Sequence, residues 1–308
     1  MALARPANSQ WTGPLARIRS PRPVTAALEG PGELMPELTF QGRRVAYLEQ
    51  GAGVPLVLLH AGGSSGKQWV KTASLLEDRF RVVAPDLWGF GRTEGWAGEE
   101  SLTHDHQALL VARVMEEMAA GPAHLVGHSY GGATALRLVL QRKDLVKTLI
   151  LVEPILTPLL RFAGEEKAFR EYFDMAQTFL NNAATGKLDE AWRGFIDYRN
   201  GPGTWQALPA ATKERFAAAT GSTVAGFHSN LSNPTSIEDV RRVQLPTLVM
   251  CGEKTTSPDR RVTEILREQV PGCRYTIIPG ADHMSPLSHP EFIANAIRHH
   301  VDAAQPAE

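Results

Sequence analysis

Short apolar runs alternate with helical patterns along most of this 308-residue chain, and this alternation limits the possible folds more than any other feature. The alternation predicts an α/β fold with a mostly parallel, doubly wound sheet and helices on both of its faces. Earlier in the chain, Gln41 and Gly42 form a turn signal between two strand-like runs and predict a hairpin. The apolar runs have the composition of strands that are buried on both faces; they are "PLVLLH", "RVVAPD", "AHLVGHS", "KTLILVEP", "PTLVMCGE" and "RYTIIPG".

Composition and charge exclude several classes of partner. The net charge is -1 and 43% of the residues are hydrophobic, so the chain can bury a large core and has no bias toward nucleic acid. No apolar run approaches the roughly 20 residues of a membrane-spanning helix. Cys251 and Cys273 lie in or beside apolar runs, which predicts two buried thiols in a reducing compartment. We therefore expect a cytoplasmic protein without a membrane partner.

Residues 155–235 break the alternation. They contain helical patterns such as "EEKAFREYFDMAQTFLNN" and no convincing strand. An all-helical block between two strands predicts a cap over the carboxyl ends of the strands, where open parallel sheets place their ligands. The core would then comprise residues 36–154 and 236–308. Residues 1–35 are rich in proline, alanine and arginine and predict a flexible extension, with an organelle-targeting segment as the alternative.

The motif "GHSYGG" places Ser129 directly after one predicted strand and directly before a helix. A G-x-S-x-G nucleophile motif requires this context. The flanking glycines let strand and helix approach closely, and the helix N-terminus favours the negative charge that develops near the hydroxyl. We therefore predict that Ser129 is a catalytic nucleophile; a structural glycine turn is the alternative.

A serine hydroxyl needs a base to take its proton, and His283 is the strongest candidate among ten histidines. It follows the last predicted strand and so emerges at the same sheet edge as Ser129, in the serine-before-histidine order expected of such a sheet. His289 is the near competitor, but it begins a helix beyond this loop. His104 and His300 lie on helical patterns, where we expect solvated side chains.

A tetrahedral intermediate also needs donors for its oxyanion. The N–H of Tyr130, directly after the nucleophile, is one predicted donor, and the N–H of Gly62 in "HAGGSSGKQW" is the other. Gly63 follows in the same loop without a side chain to obstruct a substrate, so we also expect it at the substrate site. His60 ends the preceding buried strand, and we interpret it as a structural hydrogen-bonding residue.

These motifs together resemble the α/β-hydrolase superfamily, in order from about residue 38 to residue 302 and leaving out the cap. They are specific for the fold and for a serine nucleophile, and much less specific for substrate. The resemblance implies a serine hydrolase with an inserted helical cap that needs no cofactor and no metal. The motifs that carry it are "HAGGSSGKQW", "APDLWGFGRT", "GHSYGG", "LVEP", "PTLVMCGEK" and "PGADHMSPLSHPEFI".

The usual acid position of that superfamily, directly after "GEK", is occupied by Thr255, which cannot carry the charge that stabilises an imidazolium. Glu253 stands two residues early, and Asp259 lies where a helix begins and fits a capping role. Glu153 ends the strand after the nucleophile helix and emerges beside Ser129. Zearalenone-type lactonases are similar in this respect, since their glutamate comes from that strand end. Glu153 is therefore the predicted acid, with a buried ion pair as the alternative.

The predicted cap supplies candidate pocket residues. Trp205 lies in a segment comparable to one in which those lactonases use a cap tryptophan, although packing between cap helices would also explain it. Trp88, in the loop after "APDL", is a second candidate. About 80 residues of apolar cap predict a hydrophobic, medium-sized ester or lactone as the substrate.

Rival functions remain open at this point. One is a carbon–carbon bond hydrolase or cofactor-free lyase on the same scaffold, and another is a non-catalytic ligand receptor. A homodimer is also open, whereas no nucleic-acid partner is expected.

Overall fold

One mixed sheet forms the centre of the protein. The computed structural model describes residues 36–117 and 121–304, so the predicted extension over residues 1–35 lies outside the described residues. In the described part of the chain the sheet has eight strands in the order β1-β2-β4-β3-β5-β6-β7-β8. The strands are β1 (Glu37–Phe40), β2 (Arg43–Gln50), β3 (Val54–Leu59), β4 (Phe80–Pro85), β5 (Ala123–His128), β6 (Val146–Val152), β7 (Thr247–Gly252) and β8 (Arg274–Ile278).

The pairing confirms the predicted α/β fold with a mostly parallel sheet. β2 pairs antiparallel with β1 and with β4, and every pair from β4 to β8 is parallel. Gln41 and Gly42 both have positive φ, at 49° and 71°. Two adjacent positive φ angles are typical of the two-residue turns that join hairpin strands, so the predicted hairpin is also confirmed.

Helices cover both faces of this sheet. Leu149 and Leu151 of β6 belong to an apolar cluster on one face, with the helices His104–Glu117, Tyr130–Gln141 and Ser257–Gln269. Ile150 and Val152 belong to a cluster on the other face, with the helices Val70–Ser74 and Pro290–Ala303. Burial on both faces explains why the central strands β3 to β7 consist mostly of apolar residues. The helices are α1 (Val70–Ser74), α2 (His104–Glu117), α3 (Tyr130–Gln141), α4 (Thr157–Phe162), α5 (Glu166–Ala184), α6 (Leu188–Asn200), α7 (Thr204–Ala207), α8 (Ala210–Ala218), α9 (Thr220–Leu231), α10 (Ile237–Arg241), α11 (Ser257–Gln269), α12 (Ser285–Ser288) and α13 (Pro290–Ala303).

Helices α4 to α9 follow β6, and α5 to α9 build an apolar core of their own, whereas Leu159 and Leu160 of α4 belong to the core beside the sheet. No strand occurs between Glu153 and Pro246, all of which the structure describes. The side chains of this core include Tyr172, Phe179, Trp192, Trp205 and Phe227. α5, α6 and α9 also carry residues that line a cavity together with Ser129, so these helices lie over the sheet edge at which β5 ends.

The parallel register brings the carboxyl ends of the central strands together. β5 and β6 end in register, with His128 opposite Val152. The next residues along the chain are Ser129 and Glu153, and the loop after β8 carries His283. Three side chains that are remote in sequence therefore leave the sheet at one edge.

The structure bears on the predictions of two buried thiols and of no membrane-spanning helix. Cys251 in β7 is buried as predicted, whereas Cys273 is only partly buried; both are free thiols. Among the helices that the structure describes, none combines the length and apolar character needed to cross a bilayer.

Candidate active site

Ser129 occupies a strained turn between β5 and α3. Its backbone has φ 56° and ψ -116°, a conformation that a residue with a side chain rarely adopts. A Cβ at Gly127 would lie 2.5 Å from the Gly131 carbonyl oxygen, and a Cβ at Gly131 would lie 2.6 Å from the His60 carbonyl oxygen. Only glycine therefore fits on either side of the serine, and the turn holds the hydroxyl at the sheet edge.

The loop after β8 brings His283 to this serine. Nε2 of His283 lies 2.9 Å from Oγ of Ser129, and the imidazole is buried. The competitor His289 bonds the neighbouring Ser288 hydroxyl instead. The structure thus brings the predicted nucleophile and the predicted base together, with the hydroxyl donating to the ring nitrogen.

Glu153 is fully buried on the other side of His283. Its Oε2 lies 2.6 Å from Nδ1 of His283 and also accepts a 2.8 Å bond from the hydroxyl of Thr255. Its Oε1 accepts a 2.5 Å bond from the Gly252 N–H. The backbone of Glu153 has φ 43°, so this residue, like Ser129, is held in a strained conformation by its surroundings.

Burial moves the titration of the acid and the base in opposite directions. Burial lowers the pKa of His283 well below its ordinary value, and the positive charge of Arg199 lowers it further. Burial raises the pKa of Glu153, against the effect of its hydrogen bonds from Gly252 and Thr255. His283 is therefore a neutral imidazole at pH 7 that donates through Nδ1 and accepts through Nε2.

The two predicted oxyanion donors face the same cavity. Gly62 and Tyr130 both line it with Ser129, and a Cβ at Gly62 would lie 3.6 Å from Cβ of Tyr130. Within residues 36–117 and 121–304, neither backbone N–H donates to another residue. Two free N–H groups beside a nucleophile can bind the oxygen of a tetrahedral intermediate.

His128 and Gln68 connect the loops that carry these groups. Gln68 accepts a 3.1 Å bond from the Ala61 N–H and donates a 3.1 Å bond to Nδ1 of His128. Nε2 of His128 donates a 2.8 Å bond to the His283 carbonyl oxygen. Burial, and next the neighbouring His283, lower the pKa of His128 to about 3, so its ring is neutral. The sequence did not reveal these contacts, because the nucleophile motif leaves the position of His128 unconstrained and no motif marks Gln68.

A second carboxylate also lies close to His283. Oδ2 of Asp259 is 3.4 Å from Nδ1 of His283 and accepts from the Thr256 hydroxyl and from the Arg199 guanidinium. Asp259 lies in the first turn of α11, as predicted. Its contact with His283 was not predicted from the sequence. Arg199 was not recognised at all, because an arginine on an amphipathic helix is usually solvated.

Glu153, Asp259 and His283 place possible ligand atoms within 4.8 Å of one another. Both carboxylates already accept hydrogen bonds from protein groups, and the Arg199 guanidinium lies against Asp259. A fixed positive charge disfavours a second cation nearby. We therefore interpret the cluster as an acid–base network.

The cavity next to Ser129 is small, and five of its twelve lining residues are aromatic. Its volume is about 30 Å³. The cap side of the wall comes from α5, α6 and α9. The lining residues of α9 recur at helical spacing. From sequence alone, such a pattern is equally typical of a helix face that packs in an ordinary core. The lining residues are Gly62, Phe90, Ser129, Tyr130, Ile155, Tyr172, Phe195, Arg199, Thr223, Gly226, Phe227 and Asn230.

Three predicted substrate-binding residues do not line this cavity. Trp205 is buried between cap helices, where its Nε1 donates to Asp189 at 2.7 Å and its ring contacts Phe216. Trp88 stacks on Phe40 on the core side. Gly63 is not part of the wall either; a Cβ there would lie 3.6 Å from the ring of Trp192, which does not line the cavity. The two tryptophans pack within apolar clusters, where large aromatic side chains bury much of their surface.

The other histidines also differ in part from expectation. His60 is fully buried; its Nδ1 donates to the Ala61 carbonyl and its Nε2 accepts from the Leu87 N–H, which confirms a structural role. His104 is buried rather than solvated, and its Nε2 donates to Oδ1 of Asn230 at 3.0 Å. His300 is buried as well. His104 begins α2 and His300 lies in the last turn of α13. Other elements cover both side chains, which a helical pattern does not indicate.

The sheet order and the hydrogen-bonded serine, histidine and glutamate at its carboxyl edge are typical of the α/β-hydrolase class. The chain matches the model of the alpha/beta hydrolase family over residues 56–296. It therefore belongs to that family, and the superfamily resemblance seen in its motifs is confirmed.

Individual relatives have different activities. The chain is 26% identical to 2-hydroxy-6-oxo-6-(2'-aminophenyl)hexa-2,4-dienoic acid hydrolase of Metapseudomonas resinovorans, covering 83% of this chain and 86% of that protein. It is 27% identical to pimeloyl-(acyl-carrier protein) methyl ester esterase of Aeromonas hydrophila subsp. hydrophila, covering 82% and 96%. A solved N-acyl homoserine lactone degrading enzyme has a TM-score of 0.67 at 20% identity, covering 86% of this chain and 99% of its own, and supports the fold alone.

Proposed function

We propose that this protein is a serine hydrolase that cleaves a carboxylic ester through an acyl-enzyme on Ser129. The observation that carries the proposal is the continuous hydrogen-bond chain from the Ser129 hydroxyl through His283 to Glu153, with links of 2.9 and 2.6 Å. This chain supplies a nucleophile, a base and an acid in the order that acyl transfer requires.

In the proposed mechanism Oγ of Ser129 attacks the ester carbonyl carbon while Nε2 of His283 takes its proton. The imidazolium that forms donates through Nδ1 to Glu153, whose negative charge stabilises it. The carbonyl oxygen becomes an oxyanion and accepts from the N–H groups of Gly62 and Tyr130. His283 then gives its proton to the leaving alcohol, and a water molecule, activated by the same histidine, hydrolyses the acyl-enzyme.

The size of the cavity favours a short acyl group. About 30 Å³ holds roughly two water-sized groups, whereas sites that enclose a drug-sized ligand measure roughly 300–1,000 Å³. The cavity is therefore smaller than the medium-sized ester or lactone predicted from the cap would need. A macrocyclic lactone would require α5, α6 and α9 to move away from Ser129.

A second candidate function is the hydrolysis of an acid like that named for the relative from Metapseudomonas. The Arg199 guanidinium in the cavity wall favours it, because arginine is the residue that binds carboxylates best. Against it stands Asp259, which already pairs with that guanidinium. A substrate carboxylate would have to share Arg199 with a protein carboxylate.

A panel of substrates separates these possibilities. We expect higher kcat/KM for p-nitrophenyl acetate and butyrate than for the octanoate, with a burst of p-nitrophenol equal to the enzyme concentration, and no turnover by Ser129→Ala. Preference for a half-ester that carries a free carboxylate would favour the second candidate. Saturable binding of esters or lactones without turnover of any of them would indicate a receptor instead.

A further inference from the structure

His283 faces two carboxylates, of which only one bonds it. Nδ1 is 2.6 Å from Oε2 of Glu153 and 3.4 Å from Oδ2 of Asp259. Both acids are buried, so neither charge is screened by water. One acid is enough to complete a triad, so the second carboxylate must have a different role.

Asp259 is held by residues on either side of the boundary between cap and core. Arg199 of the cap helix α6 forms a buried ion pair with it, and the Thr256 hydroxyl donates to the same oxygen at 2.9 Å. The guanidinium is itself fixed by aromatic rings, with its Cζ 5.5 Å from the ring centre of Tyr172 and 5.8 Å from that of Phe195. This packing leaves Asp259 little freedom to turn toward His283.

The charged and titratable groups around His283 come from four elements. They are His128 at the end of β5, Glu153 after β6, Asp259 in α11 and Arg199 in α6, besides Asp282 in the loop that carries His283 itself. His128 is neutral, and Asp282 accepts from the Met284 N–H. The electrostatic potential at Nδ1 is therefore set by two buried anions and one buried cation.

We propose that Arg199 and Asp259 are positioning residues of the triad: the cap arginine holds the second carboxylate off His283 and cancels its charge, so that Glu153 alone bonds the histidine. The proposal rests on the proposed function of Ser129 and His283. Its consequence is that the basicity of His283 depends on contact between the cap helix α6 and the core helix α11. A cap that moves away from Ser129 would release Asp259 and change the protonation of the base.

Opposite pH shifts in two variants test this. Arg199→Gln leaves Asp259 uncompensated, which stabilises the imidazolium, so the acid limb of kcat/KM should move up by about 1 pH unit. Asp259→Asn leaves Arg199 uncompensated, so the limb should move down by about as much. The double variant removes both charges and should return the limb close to that of wild type, and Arg199→Lys should barely move it. A merely structural role would lower activity in each variant without opposite shifts.

Arg261→Gln is the matched control, because Arg261 of α11 forms an ion pair of 2.8 Å with Glu165 at the start of α5. That pair also links α11 to the cap but does not contact His283, so its loss should leave the acid limb in place. The pH dependence of fluorophosphonate labelling of Ser129 provides a second readout that does not depend on substrate fit.

Several results would overturn the proposal: shifts of one sign in both single variants, no shift in either, or a double variant shifted by about 1 pH unit. Circular dichroism at pH 7 identifies variants that do not fold; if one single variant fails, the other still decides, because the proposal fixes the sign of its shift. If wild type is not labelled at Ser129, the proposed function has failed. If it is labelled and the limb does not respond, only the role of Arg199 and Asp259 has failed.

Discussion

The Thr255 hydroxyl donates a 2.8 Å hydrogen bond to Oε2 of Glu153, the same oxygen that lies 2.6 Å from Nδ1 of His283. Thr255 occupies the position at which the superfamily resemblance places a triad acid. β6 and β7 are neighbours in register, so a carboxylate at the end of either strand can reach the histidine. Here the carboxylate stands on β6, and the threonine on the β7 side helps to hold it.

We expect Ser129→Ala to abolish labelling by a fluorophosphonate probe, because the probe reacts with an activated serine hydroxyl. The measurement is in-gel fluorescence of the purified protein, with Ser288→Ala as the control. Ser288 is an exposed serine whose hydroxyl lies 2.7 Å from a ring nitrogen of His289. Labelling that persists without Ser129 would place the nucleophile elsewhere.

Glu153→Gln should lower kcat by on the order of 10⁴, the scale seen when the acid of a serine triad is replaced by its amide. Glu253→Gln is the control, since Glu253 accepts from the Gly280 N–H on the outer side of the loop and not from His283. Stopped-flow or steady-state rates with p-nitrophenyl acetate measure both. Near-normal activity in Glu153→Gln together with severe loss in Asp259→Asn would show that Asp259 is the acid.

Thr255→Asp in a Glu153→Ala background should restore part of the lost activity. Thr255 already contacts the position of the Glu153 carboxylate, so an aspartate there can present its charge close to Nδ1. In the presence of Glu153, however, the same substitution should lower activity, because two adjacent buried carboxylates cannot both ionise readily. If kcat changes in the same direction in both backgrounds, the two positions are not equivalent.

The parts of this site that follow local patterns were predictable from sequence. Ser129 has glycines at fixed offsets, Glu153 directly follows an apolar run, and His283 lies in the loop after the last strand. Arg199 and Asp259, by contrast, are 60 positions apart and meet only because α6 of the cap packs close to α11, so no local pattern marks them. Trp205, a predicted pocket residue, does not line the cavity next to Ser129, since the sequence does not tell which neighbours a buried tryptophan has.

Trp205→Ala should destabilise the protein without changing its substrate preference. The indole is buried between cap helices and bonds Asp189, so its removal leaves a cavity that costs about 3–5 kcal/mol of unfolding free energy. Urea unfolding measures this loss, and the ratio of butyrate to acetate turnover should stay as in wild type. Phe195→Ala is the comparison, since Phe195 lines the cavity and its removal should shift that ratio toward the longer ester.

Acid should destabilise the fold between pH 6.5 and 4, in part through His104. Burial lowers the pKa of His104 from 6.5 to about 4, so the unfolded chain binds a proton in this range that the folded protein does not. Stability therefore falls as pH falls through this window, by on the order of 3 kcal/mol for this residue at about 1.4 kcal/mol per pH unit. His104→Gln cannot take up the proton, so the difference in unfolding free energy between pH 7 and pH 4 should be smaller in this variant by about that amount. Urea titrations at both values of pH measure it, and an unchanged pH dependence would mean that His104 titrates alike in the folded and unfolded chain.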